Sequence, residues 1–222
     1  MILRNNKASF IVLDLDDTIY KEVEFVKSGF RAIIQNYAND QHDQDLLFNV
    51  MMNAWQAGQN AFLTLLNCLN LQHILIDEPL KIYHTHSPNI TLSESSKSFF
   101  EYTKTQGLKL GLITDGRSIT QRNKLESLGI GSFFNEIIVS EEFGSQKPAM
   151  ANYKIFENKY PEETFCYIGD NTTKDFIVPA ALGWEMYCII DDGSHIHKQD
   201  LGKLPPKVKL IKNLNQLFDD KY

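Results

Sequence analysis

Short apolar runs alternate with helix-like segments through the second part of the chain, and this alternation constrains the fold more than any other sequence feature. The runs are short enough to be buried strands and are rich in β-branched and aromatic residues. The predicted strands are 9–13, 108–113, 136–140, 165–169, 185–190 and 208–211. Strands that alternate with helices pair in parallel, with helices on both faces of the sheet. The sequence therefore predicts an α/β fold.

A block of helical sequence interrupts this alternation after the first strand. Between about 22 and 85, apolar residues recur at helical spacing, with a predicted break near Gly58, and no strand-like alternation is apparent. We therefore predict a core domain made of residues 1–20 and 88–222, and an inserted α-helical cap domain made of residues 21–87.

Two capping-box patterns, in which Ser or Thr precedes Glu or Gln by three residues, predict helix starts in the core. One would pair Thr91 with Glu94, and the other would pair Ser118 with Gln121. Further helices are predicted at 148–159, at 173–182 and after the last strand.

The composition and charge of the chain exclude several classes of protein. It is 43% hydrophobic and 23% charged, as in ordinary folded domains, and its net charge is −6. Without a long basic cluster, we expect no nucleic-acid partner. No segment approaches the roughly 20 apolar residues that span a bilayer, so we expect no membrane partner. Three cysteines without CxxC spacing and a start without a signal-peptide pattern indicate a reducing, cytoplasmic location.

Polar residues able to bind a metal or a phosphate follow four of the predicted strands. The carboxyl ends of parallel strands lie along one edge of the sheet, where ligands bind, so these residues should converge. In chain order they are Asp14, Asp16, Asp17 and Thr18, then Thr114, Asp115, Gly116 and Arg117, then Glu141, Glu142, Gly144, Lys147 and Pro148, and finally Gly169, Asp170, Asn171 and Asp175. One such residue would be unremarkable, because Asp at a strand end is usually a turn residue.

The chemistry of these residues favours a cation and a phosphate at the same place. The carboxylates of Asp14 and Asp170 need a cation, and oxygen-only ligands favour Mg²⁺. Thr114 and Lys147 can hold phosphate oxygens, and the amides of Asp115 and Gly116 can add donors.

A calcium-binding EF-hand loop is the alternative reading of the acidic run after the first strand. That loop needs Gly at its sixth position and Glu at its twelfth. Here those positions hold Ile19 and Phe25, so we reject an EF-hand.

The same residues, in the same order, resemble the motifs of the haloacid dehalogenase (HAD) superfamily. The first motif, DxDxT, stands as 14–18, the Ser/Thr motif as Thr114, the Lys motif as Lys147, and GDxxxxD as 169–175. The resemblance spans nearly the whole chain and points to the phosphatase branch with a helical, C1-type cap. It implies a three-layer Rossmann-like core.

The resemblance also implies roles for these residues. Asp14 would attack phosphorus and form an aspartyl-phosphate, and Asp16 would act as acid and then base. Thr114 and Lys147 would stabilise the transferring phosphoryl group. Mg²⁺ would be held by the Asp14 carboxylate, the Asp16 carbonyl and Asp170, with support from Asp175.

Three other functions remain open at this point. Haloacid dehalogenases lack the second Asp of the first motif, because a leaving halide needs no proton, so Asp16 favours phosphoryl chemistry. A phosphosugar mutase would keep all four motifs. A non-catalytic binding module on the same fold would be expected to have a damaged site.

The expected substrate is a small phosphorylated metabolite, either a sugar phosphate or a nucleotide, and the expected assembly is a monomer or a homodimer. Metal binding by His84 and His86 is less favoured than an extended linker that lies within 83–90 and ends at Pro88. Candidate substrate contacts are Tyr20, Arg117 and Asn171, with Glu22, Lys27, Arg31 and Gln56 as further possibilities.

Overall fold

The computed structural model describes residues 8–39 and 41–218, which divide into two compact units. The first unit comprises Met1–Val23 and Thr91–Tyr222, and the second comprises Glu24–Ile90. Whether the second unit serves as a cap domain, with the limits predicted above, stays a prediction.

A six-stranded parallel sheet forms the centre of the first unit, in the order β3-β2-β1-β4-β5-β6. Its strands are β1 (Phe10–Leu13), β2 (Lys109–Thr114), β3 (Glu136–Val139), β4 (Phe165–Gly169), β5 (Glu185–Ile189) and β6 (Lys209–Ile211). Parallel strands covered on both faces are apolar along their length, and every residue of β1 and β4 is buried. The predicted α/β fold with a parallel sheet is confirmed.

Nine α-helices lie in the described part of the chain. They are α1 (Glu22–Tyr37), α2 (Gln44–Gln56), α3 (Ala61–Cys68), α4 (Asp77–Thr85), α5 (Glu94–Thr105), α6 (Ser118–Leu128), α7 (Ser140–Phe143), α8 (Ala151–Lys159) and α9 (Ile177–Leu182). Of the helices in residues 8–39 and 41–218, none combines the length and the apolar character that a bilayer-spanning segment requires.

Several helix boundaries differ from the prediction. Helix α5 begins at Glu94 because Ser93, rather than Thr91, is its N-cap, and the Ser93 Oγ accepts a hydrogen bond from Ser96 N. Helix α6 begins at Ser118 with no side-chain cap, so the second capping box is also wrong. The helices predicted from 148 and 173 begin only at Ala151 and Ile177.

The last predicted helix is a short 3-10 turn at Leu214–Leu217, and its continuation past 218 lies outside the described residues.

The second unit consists of helices packed through aromatic rings. The Phe25, Phe30 and Phe62 rings each lie within 5.9 Å of a ring on a neighbouring helix, Tyr83 among them. The extended linker predicted at 83–90 is wrong at its start, because α4 continues to Thr85. The His86 ring lies within hydrogen-bond distance of Tyr83 O, at 2.7 Å, and of Ser28 Oγ, at 3.2 Å. These contacts give His86 a structural role in the second unit.

Gly111 on β2 is a point at which the core tolerates no side chain. A Cβ there would collide with the Phe156 ring of α8 and would lie 3.0 Å from the Phe10 ring. We expect Gly111→Ala to lower the free energy of unfolding by about 1–3 kcal/mol, because overpacking displaces fixed core side chains. Urea unfolding tests this. The matched control is Gly131→Ala, where a Cβ meets nothing within 4 Å. Equal stability of both variants would contradict the packing described.

Candidate active site

The residues that follow the strands of the first unit meet in one polar cavity of about 80 Å³. Asp14 and Asp16 reach it from the end of β1, Thr114 from β2, and Asp170 from β4. The carboxyl edge of a parallel sheet is the usual ligand site of such folds. The structure therefore brings these predicted residues together.

Lys147 lies between two buried carboxylates, one of which, Asp14, lines the cavity. Its Nζ is 2.6 Å from Asp14 Oδ1 and 2.8 Å from Asp175 Oδ1, and its side chain is only 1% exposed. Tyr167 OH also lies 3.3 Å from the ammonium. Burial opposes the charge of Lys147, but the two carboxylates outweigh it and raise the pKa of the lysine well above its ordinary value. A fixed positive charge therefore adjoins Asp14.

The charges around Asp14 do not balance within the protein. Carboxylate oxygens of Asp14, Asp170 and Asp175 all lie within 4.8 Å of one another. Burial raises the pKa of Asp14 to about 8, although Lys147 works to lower it. Burial also raises the pKa of Asp170. Three clustered carboxylates, of which Asp14 and Asp175 contact the Lys147 ammonium, fit a divalent cation with oxygen ligands.

Asp175 differs from the other two carboxylates because its oxygens already have protein partners. Oδ1 pairs with Lys147, and Oδ2 accepts a hydrogen bond from Asn171 N at 2.9 Å. The predicted supporting role of Asp175 toward the metal stays a prediction, as does the Asp16 carbonyl as a ligand.

Three donors hold the Asp16 side chain. Tyr20 OH and Lys124 Nζ reach its Oδ1 at 2.5 and 2.7 Å, and Gln121 Nε2 reaches its Oδ2 at 3.1 Å. Burial works to raise the pKa of Asp16, but the Lys124 charge and these hydrogen bonds hold it below its ordinary value. Asp16 is therefore ionised and oriented in this arrangement.

Gln121 and Lys124 are site residues that sequence reasoning missed. They lie three apart on α6 and so project from the same face of that helix. Gln121 also donates a hydrogen bond to Thr114 Oγ1, which places it between the residues that end β1 and β2. The signal was a pair of long polar side chains at helical spacing just after a site loop. The capping box predicted at 118–121 instead assigns Gln121 a role at the start of the helix.

The predicted phosphate-binding loop is held by hydrogen bonds within the protein. Thr114 is buried at the end of β2, and the Asp115 carboxylate accepts hydrogen bonds from Lys147 N and Lys174 Nζ at 3.0 and 2.7 Å. Gly116 N already donates to Ser140 Oγ at 2.9 Å. Phosphate binding by Thr114, Asp115, Gly116 and Lys147 stays a prediction, and the Gly116 amide would first have to leave its present acceptor.

The residues predicted to contact the substrate lie in different parts of the two units. Tyr20 lies against Asp16, and Asn171 lines the cavity, where its Oδ1 accepts hydrogen bonds from Thr173 N and Oγ1. Arg117 is exposed at the N-cap of α6. Lys27 and Arg31 lie in the second unit and pair with Glu24 and Asp45 at 2.7 and 3.7 Å, so both have ordinary surface roles there.

Glu22 and Lys174 line the cavity as well. Burial and the nearby Asp16 raise the pKa of Glu22 to about 8. No sequence pattern predicts Lys174 as a site residue, because its position depends on the turn that precedes α9.

Comparison with known proteins gives a family match and several relatives. The model of the family described as haloacid dehalogenase-like hydrolase matches residues 11–189. The glyceraldehyde 3-phosphate phosphatase of Methanocaldococcus jannaschii is 29% identical over an alignment 226 positions long, which covers 93% of this chain and 98% of that protein.

Two solved structures share the fold. The putative HAD-hydrolase YfnB from Bacillus subtilis, in a structure bound to magnesium, has a TM-score of 0.64 and 19% identity, over 96% of this chain and 98% of that one. The putative β-phosphoglucomutase from Thermotoga maritima has a TM-score of 0.64 and 15% identity, over 94% and 96%. Likeness at these identities establishes the fold alone.

Proposed function

The chain belongs to the haloacid dehalogenase-like hydrolases, and on that premise we propose that it is a Mg²⁺-dependent phosphatase of small phosphorylated metabolites. The observation that carries the proposal is the buried Asp14–Lys147 pair, with Asp16 held in the same cavity. A nucleophile, a charge stabiliser and a proton carrier are the groups that phosphomonoester hydrolysis needs.

In the proposed first step, an Asp14 oxygen attacks phosphorus and the bond from phosphorus to the leaving oxygen breaks. Asp16, which takes up a proton from solvent once its ion pair with Lys124 has opened, gives that proton to the leaving oxygen, so the product leaves as an alcohol. In the second step Asp16 takes a proton from water, which attacks phosphorus, releases inorganic phosphate and restores the Asp14 carboxylate. Because Lys124 keeps the pKa of Asp16 low, Asp16 can carry this proton only after their ion pair opens.

Asp14 and Asp170 are the residues that would hold Mg²⁺, with Asp175 in support. When bound, the cation would screen the repulsion between the attacking carboxylate and the phosphate. Lys147 would stabilise negative charge on the transferring group from its fixed position, and Thr114 would orient a phosphate oxygen.

The name of the archaeal relative makes glyceraldehyde 3-phosphate the first substrate to test, within the wider class of sugar phosphates and nucleotides. We further propose that the protein acts in the cytoplasm, as a monomer or a homodimer, without a nucleic-acid or membrane partner.

A substrate panel tests the proposed function against its alternatives. We expect phosphate release from p-nitrophenyl phosphate, and faster release from one of the triose phosphates, hexose phosphates or nucleoside monophosphates. An isomerised sugar phosphate without free phosphate would instead identify a mutase. Halide release from a 2-haloacid would identify a dehalogenase. The absence of turnover of every compound would favour the non-catalytic binding module.

Metal removal has a separate expected outcome. Treatment with EDTA should abolish phosphate release and MgCl₂ should restore it, because the carboxylates around Asp14 then regain their counter-ion. The same addition should raise the melting temperature, since a ligand at 100 times its Kd stabilises the folded state by about 2.7 kcal/mol. Phosphatase assays and thermal unfolding measure the two effects. Full activity in EDTA would remove the metal from the mechanism.

A further inference from the structure

His195 is a buried imidazole that the proposed hydrolysis does not use. Its side chain is 0% exposed, and Nδ1 lies 3.3 Å from Asp170 Oδ2. Within the described part of the chain, neither ring nitrogen has a hydrogen-bond partner of acceptable geometry. Leaving a buried polar group without a partner costs about 1–3 kcal/mol. A bound ligand would give this arrangement a physical reason.

The ring points into a cluster of possible metal ligands. Single ligand atoms of Asp17, Asp170 and His195 all lie within 4.8 Å of one another. The Asp17 carboxylate already accepts hydrogen bonds from Glu22 N at 2.9 Å and Ile196 N at 3.0 Å. Each carboxylate oxygen has two lone pairs, so Asp17 keeps the capacity to bind a cation. Its position is fixed by those two bonds.

The loop that carries His195 is also fixed against the sheet. Gln199 Nε2 donates to the carbonyl oxygens of Asp170 and Ile189, both at 2.7 Å. The Asp191 carboxylate also accepts a hydrogen bond from the backbone N of His195 at 3.0 Å. The backbone that carries the imidazole is therefore held in place before any ligand arrives, which reduces the entropy lost on binding.

We propose that Asp17, Asp170 and His195 form a second cation site, for a divalent transition metal such as Zn²⁺. An imidazole nitrogen suits Zn²⁺ and similar metals, whereas Mg²⁺ prefers oxygen ligands alone. Three protein ligands leave positions for water or for an oxygen of a bound molecule. The site adjoins the carboxylates around Asp14, because Asp170 belongs to both groups.

Asp191 and Asp192 offer a competing group around the same imidazole. Asp192 is exposed and pairs with Lys21 at 3.0 Å, so its charge is already compensated in solvent. Asp191 Oδ1 accepts two backbone hydrogen bonds within its own loop. Asp17 and Asp170 are both buried, and burial strengthens their need for a cation. The buried group is therefore the better site.

Zn²⁺ titration by calorimetry tests the proposal, with untagged protein in saturating Mg²⁺. We expect wild-type protein to bind one Zn²⁺, and His195→Ala to weaken that binding about 100-fold or more. Asp17→Asn should weaken it as well. The comparison variants are His197→Ala, which removes an imidazole that lines the same cavity, and Asp192→Asn, which removes a carboxylate of the competing group. Both should bind Zn²⁺ as wild type does.

X-ray absorption of the Zn²⁺-loaded protein gives a second readout, and circular dichroism checks that each variant is folded. We expect imidazole scattering around the metal in wild type but not in His195→Gln. Equal Zn²⁺ affinity of wild type and His195→Ala, or loss of binding only in His197→Ala or Asp192→Asn, would overturn the site. Asp14→Asn should still bind Zn²⁺, and this result does not depend on phosphatase activity, so the failure of either proposal can be recognised separately.

Discussion

Replacing Asp14 with asparagine is expected to lower phosphate release by roughly 10⁴-fold or more, because an amide cannot replace the attacking carboxylate. The fold should survive, since the substitution keeps the shape of the side chain and removes a negative charge from a buried site. Lys147 keeps a partner in Asp175, at 2.8 Å. Phosphate release from p-nitrophenyl phosphate and the circular dichroism spectrum measure the two properties.

The matched control for this variant is Asp45→Asn, which changes an exposed carboxylate of the second unit whose side chain is 89% exposed. That variant should retain full activity. Turnover by a folded Asp14→Asn protein, at a rate that does not rise on storage through deamidation of the new asparagine, would refute the nucleophile assignment.

Replacing Lys147 with methionine is expected to have two effects. The rate should fall about 10²- to 10³-fold, as it does when other single charge-stabilising donors are lost. In EDTA, the free energy of unfolding should also fall by about 3–5 kcal/mol, because Asp14 and Asp175 are left buried without their ammonium. Mg²⁺ should restore part of this stability, since it supplies positive charge to the same carboxylates.

Urea unfolding with and without Mg²⁺ measures the stability of this variant. The control is Lys159→Met, whose side chain is 50% exposed and pairs with Glu136 at 2.7 Å. An exposed pair contributes at most about 1 kcal/mol, so this control should differ little from wild type. An unchanged stability of Lys147→Met in EDTA would mean that the buried carboxylates do not depend on the lysine.

The sheet could be predicted from sequence because its strands are buried on both faces and stand out as apolar runs. The ends of the strands were then enough to place Asp14, Thr114, Lys147 and Asp170 together. Helix starts were harder to predict, because Ser, Thr and Asp can each cap a helix or serve elsewhere. Ser93 illustrates this, since it rather than Thr91 caps α5.

The partners of Asp16 could not be predicted for a different reason. Tyr20 is four residues away, but Gln121 and Lys124 are more than one hundred residues further along the chain. Their approach depends on how α6 packs beside β1 and β2, and hydrophobic periodicity does not fix that detail. His195 is a similar case, because it reaches Asp170 from a loop with no regular pattern.

The central position of β1 has a consequence for how the chain is made. This strand, which leads directly to Asp14, pairs with β2 on one side and β4 on the other, where Phe10 lies opposite Phe165. During synthesis this strand emerges before the other five strands, yet its second neighbour follows only after the whole second unit and much of the first. Pairings so distant in sequence form slowly and leave apolar strand edges exposed in the meantime. Low expression temperature should therefore increase the soluble yield of the protein.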